Sequence, residues 1–248
     1  MIGETNAPGV ATNDPSRRLN PRIIDADWLV MRDLAAAVRA AAAKTAGPNK
    51  TAIDFGCGSM PYRPIFTALG CDYHGADLEG APDIAITAEG RLEAPDGAAD
   101  MVLSFQVLEH VRDLSPYFGE ARRVLKADGR MILTTHGTWL YHPHPEDHRR
   151  WTREGLVHEI ESHGFSVDEC EPVVGPLAWT TVLRLTCWCY ALKKIPLIGQ
   201  AIGWAFALVM NPRALLEDMA TPTAIKRDNA CVYVVVARPA NTGTGGAP

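Results

Sequence analysis

The sequence predicts an α/β fold: a seven-stranded, mostly parallel sheet with helices on both faces, an antiparallel last strand and a helical insertion before it. Three observations carry this. Between residues 50 and 171, short apolar runs alternate with segments of helical period. The first run is stopped by Gly56, as a strand ending in a turn is. A long, mostly apolar stretch, 177–212, separates the sixth run from a last one, CVYVVVA.

In chain order, Asp25 to Lys44 is rich in Ala and Leu and reads as a helix ended by Gly47-Pro48. Thr51 to Phe55 is a strand stopped by Gly56. Pro61 to Leu69 is a short helix with Gly70 at its C-terminal end. Tyr73 to Leu78 and Asp83 to Ile86 are strands, as is Met101 to Phe105. Leu114 to Lys126 is a helix ended by Asp128-Gly129, and Met131 to Thr135 the fifth strand. Thr152 to His163 is a helix closed by Gly164. Phe165 to Glu171 and Cys231 to Ala237 are the last two strands. The alternation implies right-handed crossovers and a sheet covered on both faces. The last two strands lack a short crossover, which suits an antiparallel edge.

The 248 residues fit one domain, expected over 21–240, with the insertion spanning 177–225. Residues 1–20 and 241–248 read as flexible arm and tail. A net charge of −5 without a basic run argues against nucleic-acid binding, which needs cations against phosphate. Six cysteines without a CxxC pair suit reduced thiols. The first twenty residues show no secretory signal, so a cytoplasmic location is expected, with membrane-peripheral contact left open.

The stretch IDFGCGSMPY, residues 53–62, raises the functional question. In a doubly wound sheet ligands sit beyond the carboxyl ends of the strands. Gly56 and Gly58 allow a tight turn that a ligand can approach closely. The dinucleotide pattern GxGxxG fails, because Pro61 stands where the third glycine is due. Asp54 would repel a pyrophosphate but suits an ammonium group. Nineteen residues after Gly58, Asp77 ends the second strand, where a carboxylate holds ribose hydroxyls. Binders for an amino acid and a ribose, without a phosphate binder, fit S-adenosylmethionine.

On these residues the chain resembles the class I S-adenosylmethionine-dependent methyltransferases, of the type 11-like group, over roughly 50–171 and the last strand. IDFGCG resembles the family's first motif and HGADL its ribose acid. PDGAADMVLSFQVLEHVRD resembles the fourth-strand motif, EARRVLKADGRMILTT the fifth-strand block, and HPHPEDHRRWTREGL followed by HGFSV a substrate-side segment. The resemblance implies a Rossmann-like sheet and S-adenosyl-L-methionine as cofactor. It implies that Asp54, Gly56, Cys57 and Gly58 line the methionine part, that Asp77 holds the ribose, and that Leu78 lies against the adenine. Phe105 and Gln106 would face the cofactor. The chain departs at Met60, where the family often has glycine, and at Ala88, where an acid often meets the adenine amine; Glu89 is its neighbour.

After the fifth strand, HGTWLYHPHPEDHRRWT carries His136, His142, His144 and His148. A histidine there could deprotonate a hydroxyl acceptor. His144, His148 and, after the fourth strand, His110 are the candidate catalytic residues. His142, His144 and Asp147 or His148 would suit zinc by type, but Pro143 and Pro145 stiffen the chain and 148 need not converge. No metal site is assigned. A loop pinned by Asp147 and packed by Arg149, Arg150 and Trp151 is the structural alternative. Arg149 and Arg150 would bind an anionic acceptor or face solvent.

Within 177–212, Ile195 to Pro212 holds eighteen uncharged residues, near the lower limit for a membrane span, yet one crossing would strand the last strand on the wrong side. A lid over the acceptor pocket, or an interfacial patch with Trp179, Trp188 and Trp204, fits better. Both suggest an acceptor with apolar surface, small or lipid-linked; the histidines point to oxygen as the attacking atom, with nitrogen and carbon open. A nicotinamide-dependent oxidoreductase and a non-catalytic binding module are the competing classes; the oligomeric state stays open.

Overall fold

A computed structural model describes residues 16–143 and 146–240. Its elements are α1 (Ser16–Leu19), α2 (Trp28–Thr45), β1 (Thr51–Phe55), α3 (Arg63–Ala68), β2 (Asp72–Asp77), β3 (Ile84–Ala85) and β4 (Ala99–Phe105). There follow α4 (Leu114–Val124), β5 (Leu125–His136), α5 (Arg153–Ser162), β6 (Phe165–Val173), α6 (Pro176–Leu192), α7 (Gly199–Ala220), α8 (Thr223–Asp228) and β7 (Val232–Pro239).

The strands form one sheet in the order β3-β2-β1-β4-β5-β7-β6. β1 is parallel to β2 and β4, and β4 to β5, while β7 is antiparallel to both β5 and β6. The last strand is therefore antiparallel as expected, but it is not an edge. It enters between β5 and β6, and β6 takes the edge. The physical reason is visible in burial: Val232 to Ala237 are buried without interruption, whereas in β6 only Phe165, Cys170 and Val173 are. A strand apolar on both faces belongs inside a sheet.

Alternation along the strands splits the core in two. Met101, Leu103 and Phe105 of β4 and Val232, Val234 and Val236 of β7 face a layer with Leu34 and Val38 of α2 and Trp179 of α6. Val102, Met131, Leu133 and Val235 face the other layer, with Phe118 and Ala121 of α4 and Leu156 of α5. Asp113 caps α4 through Ser115 N–H at 3.1 Å, and Thr152 caps α5 through Gly155 N–H at 3.1 Å. Each cap contributes on the order of 1 kcal/mol.

The arm expected through residue 20 contains α1. Its Arg17 pairs with Asp25 and Asp27, and Leu19 packs on the core. The insertion is a helical hairpin, α6 and α7, followed by α8. It is tied to the domain by Asn211, fully buried, whose Nδ2 donates to Ile23 O at 2.7 Å and Asp25 O at 2.8 Å. Asp218 accepts from Gly175 N–H at 2.6 Å and from Lys226 at 2.5 Å. Among the described residues, no helix is long and apolar enough to cross a membrane. Trp188, Leu197, Ile198, Trp204, Phe206 and Val209 of this hairpin are exposed.

Candidate active site

A cavity of about 1140 Å³ opens at the carboxyl ends of β2, β1, β4 and β5. Those strands lie side by side, so Asp77 on β2 and His136 on β5 are separated by three strand spacings, roughly 14 Å at ~4.8 Å each. The cavity accommodates an extended ligand and a second molecule beside it.

The turn after β1 forms as the glycines demand. Gly56 has φ +85° and Gly58 φ +51°, both left-handed. Met60, where the family often has glycine, has φ +55°, so this non-glycine residue carries the conformation at some strain. The N–H groups of Gly56 and Cys57 donate to Ala76 O at 2.8 and 3.1 Å, locking the turn to β2. The Gly58 N–H donates to Asp77 Oδ2 at 2.7 Å, and Leu78 N–H to Asp77 Oδ1 at 2.7 Å. A carboxylate has about four lone-pair sites, so Asp77 retains acceptor capacity toward the cavity. Leu78 is exposed beside it.

Asp54 is buried, and Tyr73 donates its phenol to Asp54 Oδ2. Oδ1 is buried without a hydrogen bond. Burial pushes the carboxyl up to about 6; the Tyr73 hydrogen bond opposes this and Asp77 adds to it. An unpartnered acidic oxygen in the cavity wall fits a cationic amino group. Cys57 lines the cavity, and its thiol also packs toward β2. A Cβ on Gly75 would stand 2.8 Å from Cys57 Sγ, so the thiol fills the space over β2. Burial pushes it up to about 12, and Asp54 and Asp77 add to that.

Phe105 is buried, its ring 4.5 Å from that of Tyr62, and lines the cavity. Gln106 follows with φ +58°, held by its N–H to Thr134 O at 3.0 Å and by Nε2 to Thr134 Oγ1 at 3.2 Å. Ala88 and Glu89 line the cavity on the β2–β3 side.

The histidine segment closes the other end. His148 N–H donates to Glu109 O at 2.8 Å and Trp151 N–H to His136 O at 3.0 Å, so backbone bonds dock the loop across β4 and β5. Asp147 accepts from Arg150 at 2.5 and 2.7 Å and from His142 N–H at 2.9 Å. Burial raises Asp147, but Arg150 and His142 together hold it well below the usual range. Arg149 donates to Val111 O and, at 2.8 Å, to Arg112 O. Both arginines thus hold the loop.

The three candidate bases separate. His110 lines the cavity, and its Nδ1 donates to Glu146 O at 2.6 Å. His148 turns to Glu146 Oε2 at 3.0 Å and is not in the cavity wall. His144 lies outside the described residues. Three further groups belong to this end: Glu109, His136 and His142. Glu109 Oε2 accepts from Thr135 Oγ1 at 2.9 Å, and its Oε1 lies 3.2 Å from His136 Nε2. Burial pushes Glu109 up to about 7, and lowers His136 well below and His142 to about 4. The His136 ring stacks on Trp139 at 5.0 Å, and Trp139 on Trp179 of α6 at 4.8 Å. Apart from that stack the insertion contributes nothing to the described cavity wall.

Residues 28–169 match a methyltransferase domain family. A probable S-adenosylmethionine-dependent methyltransferase of Mycolicibacterium smegmatis is 30% identical over 84 residues, 32% of this chain and 33% of that protein. A ubiquinone biosynthesis O-methyltransferase of Bradyrhizobium sp. is 30% identical over 101 residues, 34% of this chain and 38% of that one. The chain therefore spans little more than a third of the curated relatives it matches. A 1,6-didemethyltoxoflavin N1-methyltransferase of Burkholderia thailandensis superposes with a TM-score of 0.54 at 15% identity, covering 91% of this chain and 85% of that one. That likeness concerns the fold.

Proposed function

The chain belongs to the class I S-adenosylmethionine-dependent methyltransferase family, and on that premise we propose that it methylates a hydroxyl oxygen of a small or lipid-linked acceptor. In this reading Asp54 takes the ammonium of the cofactor, with the backbone of Gly56, Cys57 and Gly58 around the methionine part. Asp77 takes the ribose hydroxyls, Leu78 covers the adenine, and Phe105 and Gln106 form the floor. The orphan Asp54 Oδ1 and the remaining acceptor capacity of Asp77 support this.

When bound, the sulfonium cofactor supplies an activated methyl group for in-line displacement, so the protein chiefly positions the partners. The observation that carries the oxygen reading is His110. A carbonyl accepts but never donates, so the 2.6 Å contact to Glu146 O puts the proton on Nδ1 and makes Nε2 the basic nitrogen. A base in the cavity wall serves an acceptor that must lose a proton. His148 is turned away and is not part of this proposal.

The exposed apolar residues of the α6–α7 hairpin support a lipid-linked acceptor at a membrane surface rather than a closed lid. Cosedimentation with anionic vesicles checks this, with retention lost when Trp204 and Phe206 become serine.

The decisive assay measures S-adenosylhomocysteine release over hydroxyl, amine and carbon acceptors. O-methyl products, with a ~10²–10⁴-fold loss of kcat in His110→Ala, are expected. Transfer to amines alone overturns the oxygen reading; S-adenosylhomocysteine binding without any transfer favours a binding module.

A further inference from the structure

We infer that Glu109, His136 and His142 form a site for a divalent cation of the zinc type at the acceptor end of the cavity. One ligand atom from each lies within 4.8 Å of the other two. Two imidazoles and one carboxylate match the ligand chemistry of zinc and its neighbours, with a position left open for an oxygen. The sequence segment 142–148 gave no converging set; the fold supplies Glu109 from beyond β4 and His136 from the end of β5 instead.

The decisive detail is a contact that is close but not a hydrogen bond. Glu109 Oε1 lies 3.2 Å from His136 Nε2. Yet Oε1 has no hydrogen-bond partner, although Glu109 is fully buried. An unpartnered carboxylate oxygen 3.2 Å from an imidazole nitrogen, on a ring whose Nδ1 is also buried without a partner, is what a shared cation would resolve. Ligands ~2.0–2.1 Å from a tetrahedral ion stand about 3.3 Å apart. The surroundings already orient the ligands as outer partners of a metal site do. Thr135 Oγ1 holds Glu109 Oε2 at 2.9 Å. Asp147 Oδ2 lies 3.6 Å from His142 Nδ1, which also sits 3.2 Å from Leu140 O. Trp139 stacks on His136. His136 and His142 both line the cavity, so the site faces the acceptor.

The ion's role rests on the oxygen-acceptor reading; its binding does not. A cation there favours loss of the acceptor's hydroxyl proton. The O–H bond breaks with its proton passing to His110 Nε2, a C–O bond forms to the methyl carbon, and the methyl–sulfur bond breaks with its pair left on sulfur.

The test titrates chelator-treated full-length protein with Zn²⁺ by calorimetry and with Co²⁺ by visible absorption. One ion per chain is expected, with a Co²⁺ spectrum of nitrogen and oxygen ligation. Asp147→Asn should weaken binding by about 10–100-fold. Glu109→Gln and His142→Gln should weaken it further than that, and His158→Ala on α5 should leave it unchanged. Retained S-adenosylhomocysteine affinity shows that each variant is folded; His142→Gln, nearer the surface, serves if Glu109→Gln is not. No binding to the wild type, binding indifferent to both ligand variants, or a Co²⁺–thiolate band that points to Cys187 and Cys189 overturns the site. Transfer to oxygen by metal-free protein at the full rate overturns the ion's role alone, and metal binding without oxygen transfer overturns the acceptor reading alone.

Discussion

Tyr73 donates its phenol to one oxygen of Asp54 and leaves the other, Oδ1, buried and unbonded in the cavity wall. The buried carboxyl titrates near 6 rather than 3.8. A carboxyl raised on folding binds protons more tightly in the native state. Its contribution to stability is therefore present below the unfolded value and lost as pH rises through about 6. Ligand binding runs the other way, because an ammonium requires the ionised form. S-adenosylhomocysteine affinity should fall up to tenfold per pH unit below about 6. Asp54→Asn should bind weakly at every pH and should be more stable than the wild type above pH 6. Calorimetry and thermal melts from pH 5 to 8 check both; a wild-type affinity flat across that range removes Asp54 from the site.

Asp77 holds the turn as well as facing the cavity. Its two oxygens accept from Gly58 and Leu78 N–H at 2.7 Å. Asp77→Ala removes two charge-assisted bonds and the ribose acceptor together, at about 1.5–3 kcal/mol for each charged bond. The affinity for S-adenosylhomocysteine should drop at least ~100-fold. Asp77→Asn keeps a carbonyl for one N–H and should lose less. Unchanged binding in Asp77→Ala refutes the ribose assignment.

The two turn glycines should separate stability from binding. A Cβ on Gly56 would lie 2.8 Å from Val107 Cγ2 at φ +85°, so Gly56→Ala should destabilise the fold by ~2–4 kcal/mol. Gly58 at φ +51° has no atom within 4 Å of such a Cβ, and Gly58→Ala should cost ~1 kcal/mol of stability. Its methyl would enter space open to the ligand, so binding should suffer more than folding. Val107→Ala should recover part of the Gly56→Ala loss, and none of that from Gly58→Ala. Denaturant melts of the double variants test the difference.

The glycine turn was legible because its chemistry is local: strand, turn and acid follow one another within a few residues. Met60 was readable as a departure, but its left-handed φ of +55° was not. The place of β7 was encoded in its unbroken apolar run, which signals burial on two faces, although the missing crossover pointed to an edge. The Glu109–His136–His142 group was hidden for a different reason. It depends on β4 pairing in parallel with β5, with Phe105 opposite Thr134, which carries the residues just beyond both strands to one place. The run of histidines between prolines drew the eye to neighbours in sequence instead. The signal was available as polar residues after the ends of two adjacent strands, Glu109-His110 and His136. Arg17 was lost in a polar arm because nothing local announces its pairing with Asp25 and Asp27.

Asn211 is the clearest test of whether the insertion is part of the domain. It sits one residue before Pro212 inside α7, fully buried, and its Nδ2 reaches Ile23 O and Asp25 O across the whole chain. Asn211→Ala removes the amide donor from Ile23 O and leaves Asp25 O with the Trp28 N–H alone, at about 0.5–1.5 kcal/mol for each bond lost. The loss should appear first as local opening, because the rest of the sheet keeps its packing. Hydrogen exchange should rise along α7 and through residues 23–27, while β4 and β5 stay protected. Since Asp25 and Asp27 also hold Arg17 in the cavity wall, the same variant should weaken S-adenosylhomocysteine binding from a distance. Uniform exchange across all elements would show instead that insertion and sheet unfold as one unit.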